Sequence, residues 1–336
     1  MNTILVTGAA GFVGSHLAHR LLERGDRVIG LDNLNSYYDV GLKHARLARL
    51  TGHARFAFTQ VNLADRDDMA RLFTEQPLHA VVNLAAQAGV RYSIDNPHVN
   101  LDANLAGFLN VLEGCRAARP KHLVFASSSS VYGANARQPY STHDTVDHPV
   151  SLYAATKRAN ELMAHTYAHL FSLPCSGLRF FTAYGPWGRP DMAYYSFTKA
   201  ILEGTPIKLY NGGRHKRDFT FIDDVVECVT RVIDRPAQPN PNWSASTPDP
   251  ASSNAPFRLY NVGNSSPVAL LELVETLERL IGRAAITQLL PMQPGDVLET
   301  CADTSELARD IGYEPRTPLA DGLARFVTWY RQYYGQ

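Results

Sequence analysis

Apolar and polar positions follow two different periods along the first half of the chain. Short runs rich in β-branched and aromatic residues occur at 4–8, 27–32, 55–62, 80–86, 122–129 and 175–181. Stretches with apolar residues at helical spacing lie between them, at 13–25, 67–76, 104–118 and 153–171. Alternating strands and helices of these lengths predict parallel β-α-β units. Unbroken apolar runs such as AVVNLAA (80–86) predict a sheet that is covered on both faces.

The second half of the chain is less regular and is richer in proline, glycine and aromatic residues. Residues 236–256 are dense in Pro, Ser and Asn, a composition typical of surface insertions and of disordered segments. We interpret this stretch as a surface insertion. The total length of 336 residues suits one large domain or two smaller ones.

Charge and cysteine content narrow the class of protein. The chain has 32 basic and 32 acidic residues, so it has no electrostatic basis for nucleic acid or an anionic membrane as main partner. The four cysteines, Cys115, Cys175, Cys228 and Cys301, form no CxxC pair, which favours core thiols over a zinc site or disulfides. The sequence contains neither a membrane-spanning apolar run nor a signal-peptide pattern. We therefore expect a cytoplasmic protein.

A glycine motif at the end of the first strand indicates a dinucleotide site. Residues 7–14, TGAAGFVG, follow a strand and open a helix, which is the context that this motif requires. Gly8 permits the tight turn, Gly11 lets a pyrophosphate approach the backbone, and Gly14 lets helix and strand pack closely. Asp32 ends the second strand, where a carboxylate binds the adenosine ribose hydroxyls and repels a 2′-phosphate. The pattern favours NAD over NADP; the alternative is that Asp32 only ends a strand.

A tyrosine and a lysine at i and i+4 provide candidate acid–base chemistry. Tyr153 and Lys157 in SLYAATK lie on one face of a predicted helix. A nearby ammonium group favours the phenolate, so the tyrosine could take a proton from a substrate hydroxyl while hydride passes to the cofactor. The serine run 127–130 ends the fifth strand, at the carboxyl edge where open α/β sheets bind ligands. The alternative is an exposed Tyr–Lys pair without a catalytic role.

Taken together, three motifs resemble the extended short-chain dehydrogenase/reductase family of NAD-dependent nucleotide-sugar epimerases and dehydratases. They are TGAAGFVG (7–14), SSSSVYG (127–133) and SLYAATK (151–157). Segments similar to the UDP-glucuronate 4-epimerase branch of that family are LDNLNSYYD (31–39), LAAQAGVRYS (84–93), RFFTAYGPWGRPDMA (179–193) and HKRDFTFIDDVV (215–226). The resemblance covers almost the whole chain.

The resemblance implies a Rossmann-type, doubly wound parallel sheet with a smaller C-terminal substrate-binding α/β domain. The NAD-binding domain would span 1–184 and also receive roughly 218–235 and 257–263. The UDP-sugar-binding domain would comprise 185–217 and 264–336. The resemblance also implies a homodimer that pairs the helices at 104–118 and 153–171 across a two-fold axis.

Roles for individual residues follow from the resemblance by position. Tyr153 would be the acid and base, and Lys157 would orient the nicotinamide ribose and lower the pKa of the tyrosine. Ser128, the third catalytic residue, would hydrogen-bond the sugar oxygen. The positions assigned to NAD are Gly8, Gly11, Phe12, Val13, Gly14, Asp32, Asn33, Asn35, Lys43, Asn62, Leu63, Ala86, Gln87, Asn104, Ser127, Tyr153, Lys157 and Phe180. The positions assigned to the UDP-sugar are Ser128, Ser129, Ser130, Arg91, Thr182, Arg189, Arg217 and Asp296. The chain departs from its relatives at Asn62, where Asp is frequent, and at Gln293, where galactose-type relatives carry Arg.

Three reactions share this scaffold, and each can begin by oxidising the sugar at C4 to a ketone. Dehydratases of the family show an Asp-Glu pair where this chain has Ser129 and Ser130, and decarboxylases of UDP-glucuronate show Glu at the position of Ser130. The missing carboxylates favour C4 epimerisation of UDP-glucuronate to UDP-galacturonate through a transient 4-keto sugar, with tightly bound NAD. The alternatives are a UDP-glucose 4-epimerase, a UDP-glucuronate decarboxylase and a non-catalytic NAD-binding sensor.

The preference for a sugar acid depends mainly on Arg189, in a Gly-Pro-rich loop after the sixth predicted strand. A guanidinium group can bind a carboxylate with two parallel hydrogen bonds. Thr182 and Arg91 are further candidate contacts. The alternative is that Arg189 caps a loop or binds a backbone carbonyl. His165 and His169 have a spacing compatible with metal, but the sequence offers no third ligand, so we expect no metal site.

Overall fold

The computed structural model describes residues 1–75, 77–293 and 297–336. Its strands are β1 (Thr3–Thr7), β2 (Arg27–Asp32), β3 (Phe56–Gln60), β4 (Ala80–Asn83), β5 (His122–Ser128), β6 (Cys175–Phe180), β7 (Thr182–Tyr184), β8 (Ile207–Tyr210), β9 (Lys216–Phe221), β10 (Phe257–Val262), β11 (Pro267–Ala269) and β12 (Thr287–Leu290). Its α-helices are α1 (Phe12–Arg24), α2 (Val40–Ala48), α3 (Arg66–Thr74), α4 (Tyr92–Asp95), α5 (Pro97–Leu101), α6 (Gly107–Ala118), α7 (Leu152–Phe171), α8 (Ala193–Glu203), α9 (Ile222–Ile233), α10 (Leu270–Ile281), α11 (Ser305–Ile311) and α12 (Leu319–Tyr334). A π-helical turn, Asp102–Ala106, joins α5 to α6.

A parallel sheet forms the centre of the molecule. Within the described residues it has seven strands in the order β10-β6-β5-β4-β1-β2-β3, and every neighbouring pair is parallel. The chain runs outward from β1 to β3 and then returns to β4 on the other side of β1. Ligands bind at such a switch point, outside the carboxyl ends of the strands. The prediction of a Rossmann-type, doubly wound parallel sheet is confirmed.

Successive residues of the central strands face opposite layers of the core. Ile4 and Val6 of β1 pack in the cluster that contains Leu17 and Leu21 of α1. Leu5, between them, packs in a second cluster with Phe108 of α6. Both faces of the sheet are therefore covered, as the unbroken apolar strands predict.

The second half of the chain builds a smaller layer beside the carboxyl edge of the sheet. Strands β7, β9 and β11 form a mixed sheet, and β8 pairs with β12. Helix α12 packs its aromatic side chains against Tyr194, Tyr195 and Trp187. Two elements from the second half of the chain lie outside this smaller layer: α9 packs against α1, and β10 joins the central sheet. The boundaries of the two domains stay a prediction.

Residues 236–256 form a loop that is bonded to itself and to the body of the protein. The backbone amide of Asn240 donates to the carbonyl of Ser253 at 2.7 Å. Ala251 and Ser253 are buried. His143 lies 2.7 Å from Asp249, which ties the loop to the chain before α7.

A buried ion pair joins α7 to the sheet directly beneath the serine run. Arg179 and Glu161 have side chains 0% and 1% exposed, and Arg179 Nε donates to Glu161 Oε1 at 2.8 Å. Ser127 donates to the same carboxylate at 2.6 Å, and Arg158 does so at 3.1 Å. Burial alone would raise the pKa of Glu161, but Arg179, Ser127 and Arg158 hold it below its usual value. The carboxylate thereby fixes the end of β5 against α7.

Replacing Glu161 by Gln should lower the free energy of unfolding by about 3–5 kcal/mol, because Arg179 would be left buried without a counter-charge. Urea denaturation of wild type and variant measures the difference. The folded pKa of Glu161 is depressed, so the difference is largest above the unfolded pKa and narrows as pH falls toward the folded pKa. The matched control is Glu314→Gln, which breaks an exposed pair with Arg316 and should change stability little. Equal effects of the two substitutions would contradict this interpretation.

Candidate active site

A cavity of about 990 Å³ lies at the carboxyl ends of the parallel strands, between the sheet and the smaller layer. It is lined by residues that follow β1 to β6 and by residues from the second half of the chain. The predicted site residues that line it are Gly8, Gly11, Phe12, Val13, Gly14, Asp32, Asn33, Asn35, Lys43, Asn62, Leu63, Ala86, Gln87, Arg91, Ser127, Ser128, Ser129, Ser130, Tyr153, Lys157, Phe180, Thr182, Arg189 and Arg217. Asp296 lies outside the described residues.

The glycine motif forms a turn too tight for side chains. Gly8 has φ +72°, and a Cβ at this position would lie 2.9 Å from the backbone nitrogen of Ala85. A Cβ at Gly14 would lie 2.0 Å from the carbonyl oxygen of Gly8. Gly11 is the N-cap of α1 and has no side chain to occupy the helix N-terminus. The free amide groups of the first helical turn therefore suit a phosphate.

Acidic and basic side chains near the end of β2 are held by backbone groups. Asp32 is buried and accepts hydrogen bonds from the amides of Ala10 at 3.2 Å and Leu34 at 2.8 Å. Lys43 donates from Nζ to the backbone and side-chain oxygens of Asn35, both at 2.8 Å. Burial lowers the pKa of Lys43, and Asp32 opposes that change. The carboxylate is thus fixed where a ribose of NAD would be recognised.

Asn104 differs from its predicted role. It is buried in the π-helical turn and does not line the cavity. Its side chain binds the backbone of Gln87 twice, accepting from the amide at 2.8 Å and donating to the carbonyl at 3.1 Å. Asn104 therefore positions Gln87, which does line the cavity, and its contact with NAD stays a prediction.

Tyr153 stands in the first turn of α7, which Ser151 caps through a hydrogen bond from the amide of Ala154. The backbone amide of Tyr153 donates to Ser93 at 3.2 Å, and the side chain of Ser128 is close enough to its phenol to affect the pKa of the tyrosine. Lys157 lies one turn further, with Nζ 5.9 Å from the centroid of the tyrosine ring. Its Nζ donates to the carbonyl of Ala126 in β5 at 2.9 Å. The structure thus brings together the three predicted catalytic residues.

The pKa of Tyr153 differs from the expectation in direction. Burial raises it, whereas the positive charge of Arg189 and the hydrogen bond of Ser128 oppose that change. Burial lowers the pKa of Lys157 to about 8, which leaves the side chain mainly cationic at pH 7. In the protein alone, desolvation therefore outweighs the nearby charges, and Tyr153 is a protonated phenol.

Arg189 is held by a carboxylate of its own loop. Its Nε donates to Asp191 Oδ1 at 3.0 Å and its Nη2 donates to Asp191 Oδ2 at 2.5 Å. Tyr37 donates to the same Oδ2 from the loop after β2, at 3.3 Å. Only one edge of the guanidinium group is used, and among the described residues Nη1 has no acceptor. Among the described residues Arg189 binds no backbone carbonyl; its pair with Asp191 uses one edge within its own loop, and its other edge can bind a second carboxylate.

Cationic and aromatic residues from both halves of the chain also line the cavity. The guanidinium of Arg91 lies over the ring of Tyr210, 4.7 Å from its centroid. Arg217 of β9 donates to the backbone carbonyl of Lys216 at 2.9 Å. Thr182, Lys208 and Tyr210 line the cavity as well. Cationic and aromatic groups of this kind suit a nucleoside diphosphate.

Acidic groups are scarce in the cavity. Of the described residues that line it, only Asp32 and Asp191 carry carboxyl groups, and Asp191 is paired with Arg189. Burial would raise the pKa of Asp191, but Arg189 holds it below its usual value. Within the described ranges there is also no group of three or more His, Cys, Asp or Glu residues arranged to bind a metal. The cavity therefore offers few carboxyl groups for proton transfer, and Tyr153 stays the predicted acid and base.

Sequence reasoning missed three residues that shape the site. Tyr37 lies in the segment 31–39 and Asp191 in the segment 179–193, but neither pattern indicates a role for these two side chains. Arg46 belongs to none of the motifs. The spacing of two between Arg189 and Asp191 was the one available signal for that pair. Arg46 gave no signal, because its hydrogen-bond acceptors are backbone oxygens distant in sequence.

Comparisons with known proteins agree with this geometry. Residues 4–245 match the NAD dependent epimerase/dehydratase family. The chain is 54% identical over 331 residues to "Protein CapI" of Staphylococcus aureus, with 98% of this chain and 99% of that protein covered. It is 47% identical over 331 residues to the "Probable UDP-glucuronate 4-epimerase" of Rhizobium meliloti, with coverage of 98% and 97%.

A solved structure is similar along the full length. The UDP-glucuronic acid 4-epimerase of Bacillus cereus, in complex with UDP-glucuronic acid and NAD, superimposes with a TM-score of 0.86 at 30% identity. The match covers 99% of this chain and 100% of that one. By sequence and by structure, this chain belongs to the NAD dependent epimerase/dehydratase family.

Proposed function

We propose that this chain is a UDP-glucuronate 4-epimerase that retains NAD and forms UDP-galacturonate. The observation that carries the proposal is one cavity that contains both an acid–base tyrosine and an arginine able to bind a sugar carboxylate. Relatives named for this activity match nearly the whole chain, as do structures with UDP-glucuronic acid and NAD.

The residues present fit NAD. The glycine turn leaves the N-terminus of α1 open for the pyrophosphate, and Asp32 is fixed by backbone amides at the ribose position. Asp32 also disfavours the 2′-phosphate of NADP. When bound, NAD supplies the acceptor for the C4 hydride and the source from which it returns.

Tyr153 moves the proton that accompanies each hydride transfer. Its phenol takes the proton of the 4-hydroxyl as the ketone forms and gives it back to the 4-oxygen as the ketone is reduced. Because burial raises the pKa of this phenol, the base form needs additional positive charge at the site. Arg189 already acts in that direction, and Lys157 adds a cation one turn away. Ser128 orients the oxygen that loses and regains the proton.

The scarcity of carboxylates separates epimerisation from its alternatives. Elimination of water needs further acid and base groups, yet Ser129 and Ser130 stand where dehydratases have Asp and Glu. Ser130 bonds with Ser128, with the two hydroxyl oxygens 3.1 Å apart. The described lining offers no unpaired acid near Tyr153. The lining therefore favours a second reduction of the 4-keto sugar, from the same face or from the other, over elimination of water.

Arg189 provides the preference for a sugar acid and protects the intermediate. The 4-keto acid is a β-keto acid and loses CO₂ most readily when its carboxylate lies out of the plane of the ketone. Two hydrogen bonds from one guanidinium edge hold a carboxylate in a defined plane. Asp191 fixes the opposite edge of Arg189, so the available edge has one orientation.

The purified protein without added cofactor should convert UDP-glucuronate to UDP-galacturonate, because NAD is regenerated in each cycle. Proton NMR of the sugar follows the reaction. Formation of a UDP-pentose would instead indicate decarboxylation and contradict the assignment of Ser130 and Arg189. Conversion of UDP-glucose alone would favour the UDP-glucose 4-epimerase alternative, and no turnover of any UDP-sugar would favour an NAD-binding sensor.

Replacing Arg189 by His should lower turnover of UDP-glucuronate roughly 10- to 150-fold, because hydrogen bonds to charged groups contribute about 1.5–3 kcal/mol. Binding of UDP-glucose should change much less, since that sugar has no carboxylate. Steady-state kinetics and calorimetric titration measure the two effects. Arg316→His, at an exposed position, is the control. Equal losses with both sugars would contradict a contact between Arg189 and the sugar carboxylate.

We further propose that the protein is a homodimer formed through α6 and α7. Large apolar side chains are exposed on these helices, with Leu109 at 42%, Leu162 at 55% and Leu170 at 63%. Leu162→Lys should halve the mass found by sedimentation equilibrium. Leu289→Lys, on exposed β12, is the control and should leave the mass unchanged. A wild-type protein that sediments as one chain would exclude the dimer.

A cytoplasmic location is also part of the proposal. All four cysteines are free thiols, and three of them are buried, which suits a reducing compartment. In the described part of the chain no helix combines the length and apolar character needed to cross a membrane. Fractionation of cells with an antibody to the protein tests the location, and recovery in an exported fraction would contradict it.

A further inference from the structure

Arg46 is a buried cation that the proposed reaction does not use. It belongs to α2, and its side chain is completely buried. No carboxylate of the described residues pairs with it. An isolated buried charge is costly, so its hydrogen bonds must supply the compensation.

The four acceptors of Arg46 lie in three segments that are distant in sequence: the glycine motif, the loop after β2 and the loop at 187–188. Nη1 donates to the carbonyl of Ala10 at 3.1 Å, inside the glycine motif, and to the hydroxyl of Tyr38 at 2.6 Å. Nε and Nη2 both donate to the carbonyl of Trp187, at 3.0 and 2.7 Å. Nη2 also donates to the carbonyl of Gly188 at 2.8 Å. One guanidinium group thus joins the dinucleotide loop to the residues that immediately precede Arg189.

The loop that Arg46 holds needs such a restraint. Trp187 has φ +63°, a conformation that residues with side chains rarely adopt. Gly188 is confined as well, since a Cβ there would lie 1.9 Å from the hydroxyl of Tyr194. The strained backbone sets the direction in which Arg189 leaves the loop.

The same network continues on both sides of Arg46. The amide of Ala10 donates to Asp32, the carboxylate at the ribose position. Beyond Gly188, Arg189 is fixed by Asp191, which in turn accepts from Tyr37 near α2. Residues in one hydrogen-bond network are energetically coupled.

We propose that Arg46 is a positioning residue that sets the orientation of Arg189 relative to the cofactor loop, and thereby the preference for a sugar carboxylate. The inference rests on the proposed function. Arg46 acts through the backbone of Trp187 and Gly188 and touches neither substrate nor reacting atoms. Its planar fork is required because a single amine cannot bind four separate acceptors.

Arg46→Lys, which keeps the charge and removes the fork, tests the proposal. Calorimetric titration of the NAD-loaded protein should show UDP-glucuronate binding weakened by about tenfold, within the range of coupling in one network. UDP-glucose binding should stay within about twofold on the same argument.

In an Arg189→His background, Arg46→Lys should cause no further loss for UDP-glucuronate. Equal weakening for both sugars, or additive losses in the double variant, would overturn the proposal and leave Arg46 a structural residue.

Arg49→Lys is the matched control. Arg49 follows α2, is exposed, and lies over the ring of Trp187 at 4.9 Å without binding the loop carbonyls. The Arg49→Lys variant should retain the wild-type ratio of affinities for the two sugars; a ratio altered as much as in Arg46→Lys would overturn the proposal.

Should Arg46→Lys fail to fold, Tyr38→Phe removes one acceptor and should shift the ratio of affinities in the same direction by a smaller factor. An unchanged ratio in Tyr38→Phe would then count against the proposal.

The wild-type measurement separates this inference from the proposed function. Wild-type protein that neither binds nor converts UDP-glucuronate would contradict the function itself. Wild-type protein that converts UDP-glucuronate, together with an Arg46→Lys variant of unchanged selectivity, would contradict only the role of Arg46.

Discussion

Arg46, Lys157 and Arg179 are buried cations, and each donates to oxygen atoms close to the edge of the sheet where the strands end. Arg179 binds Glu161, which also holds Ser127; Lys157 binds the carbonyl of Ala126; and Arg46 binds Ala10 and the loop at 187–188. Because desolvation of a charge is costly, each cation constrains the backbone or side chain that supplies its acceptors. The cavity keeps its shape through these constraints.

The same burial determines the acid–base chemistry. In the protein alone it raises the pKa of Tyr153 and lowers that of Lys157 to about 8. A phenol in this environment becomes a base only when positive charge accumulates around it, which happens when the nicotinamide and the cationic side chains are together. Proton removal is thereby linked to the presence of the cofactor.

Local patterns were sufficient for the fold and for most of the cavity lining. Strand β2 has the predicted bounds, and α7 begins one residue before the predicted helix. Local patterns did not predict the features that depend on contacts between residues distant in sequence. The π-helical turn at Asp102–Ala106 places Asn104 on the backbone of Gln87, which no periodicity indicates. The pKa of Tyr153 depends on burial, and burial depends on the assembled cavity.

The residues around Arg189 are a second case in which contacts remote in sequence determine what a local pattern cannot predict. The motif indicated a carboxylate-binding arginine, and its partner Asp191 is only two residues away. Whether such close neighbours pair depends on the loop backbone, which Trp187 and Arg46 set through contacts that are remote in sequence. Because the acceptors of Arg46 are mainly backbone carbonyls, no acidic residue in the sequence indicates where this arginine binds.

The central claim is that hydride leaves C4 and returns to the opposite face of the same sugar within one cavity. UDP-glucuronate carrying deuterium at C4 tests this claim most directly, with the product analysed by NMR and mass spectrometry. The account predicts UDP-galacturonate that retains the deuterium at C4, and unlabelled substrate in D₂O that gains none there. Loss of the label to solvent, or solvent deuterium at C4, would contradict it.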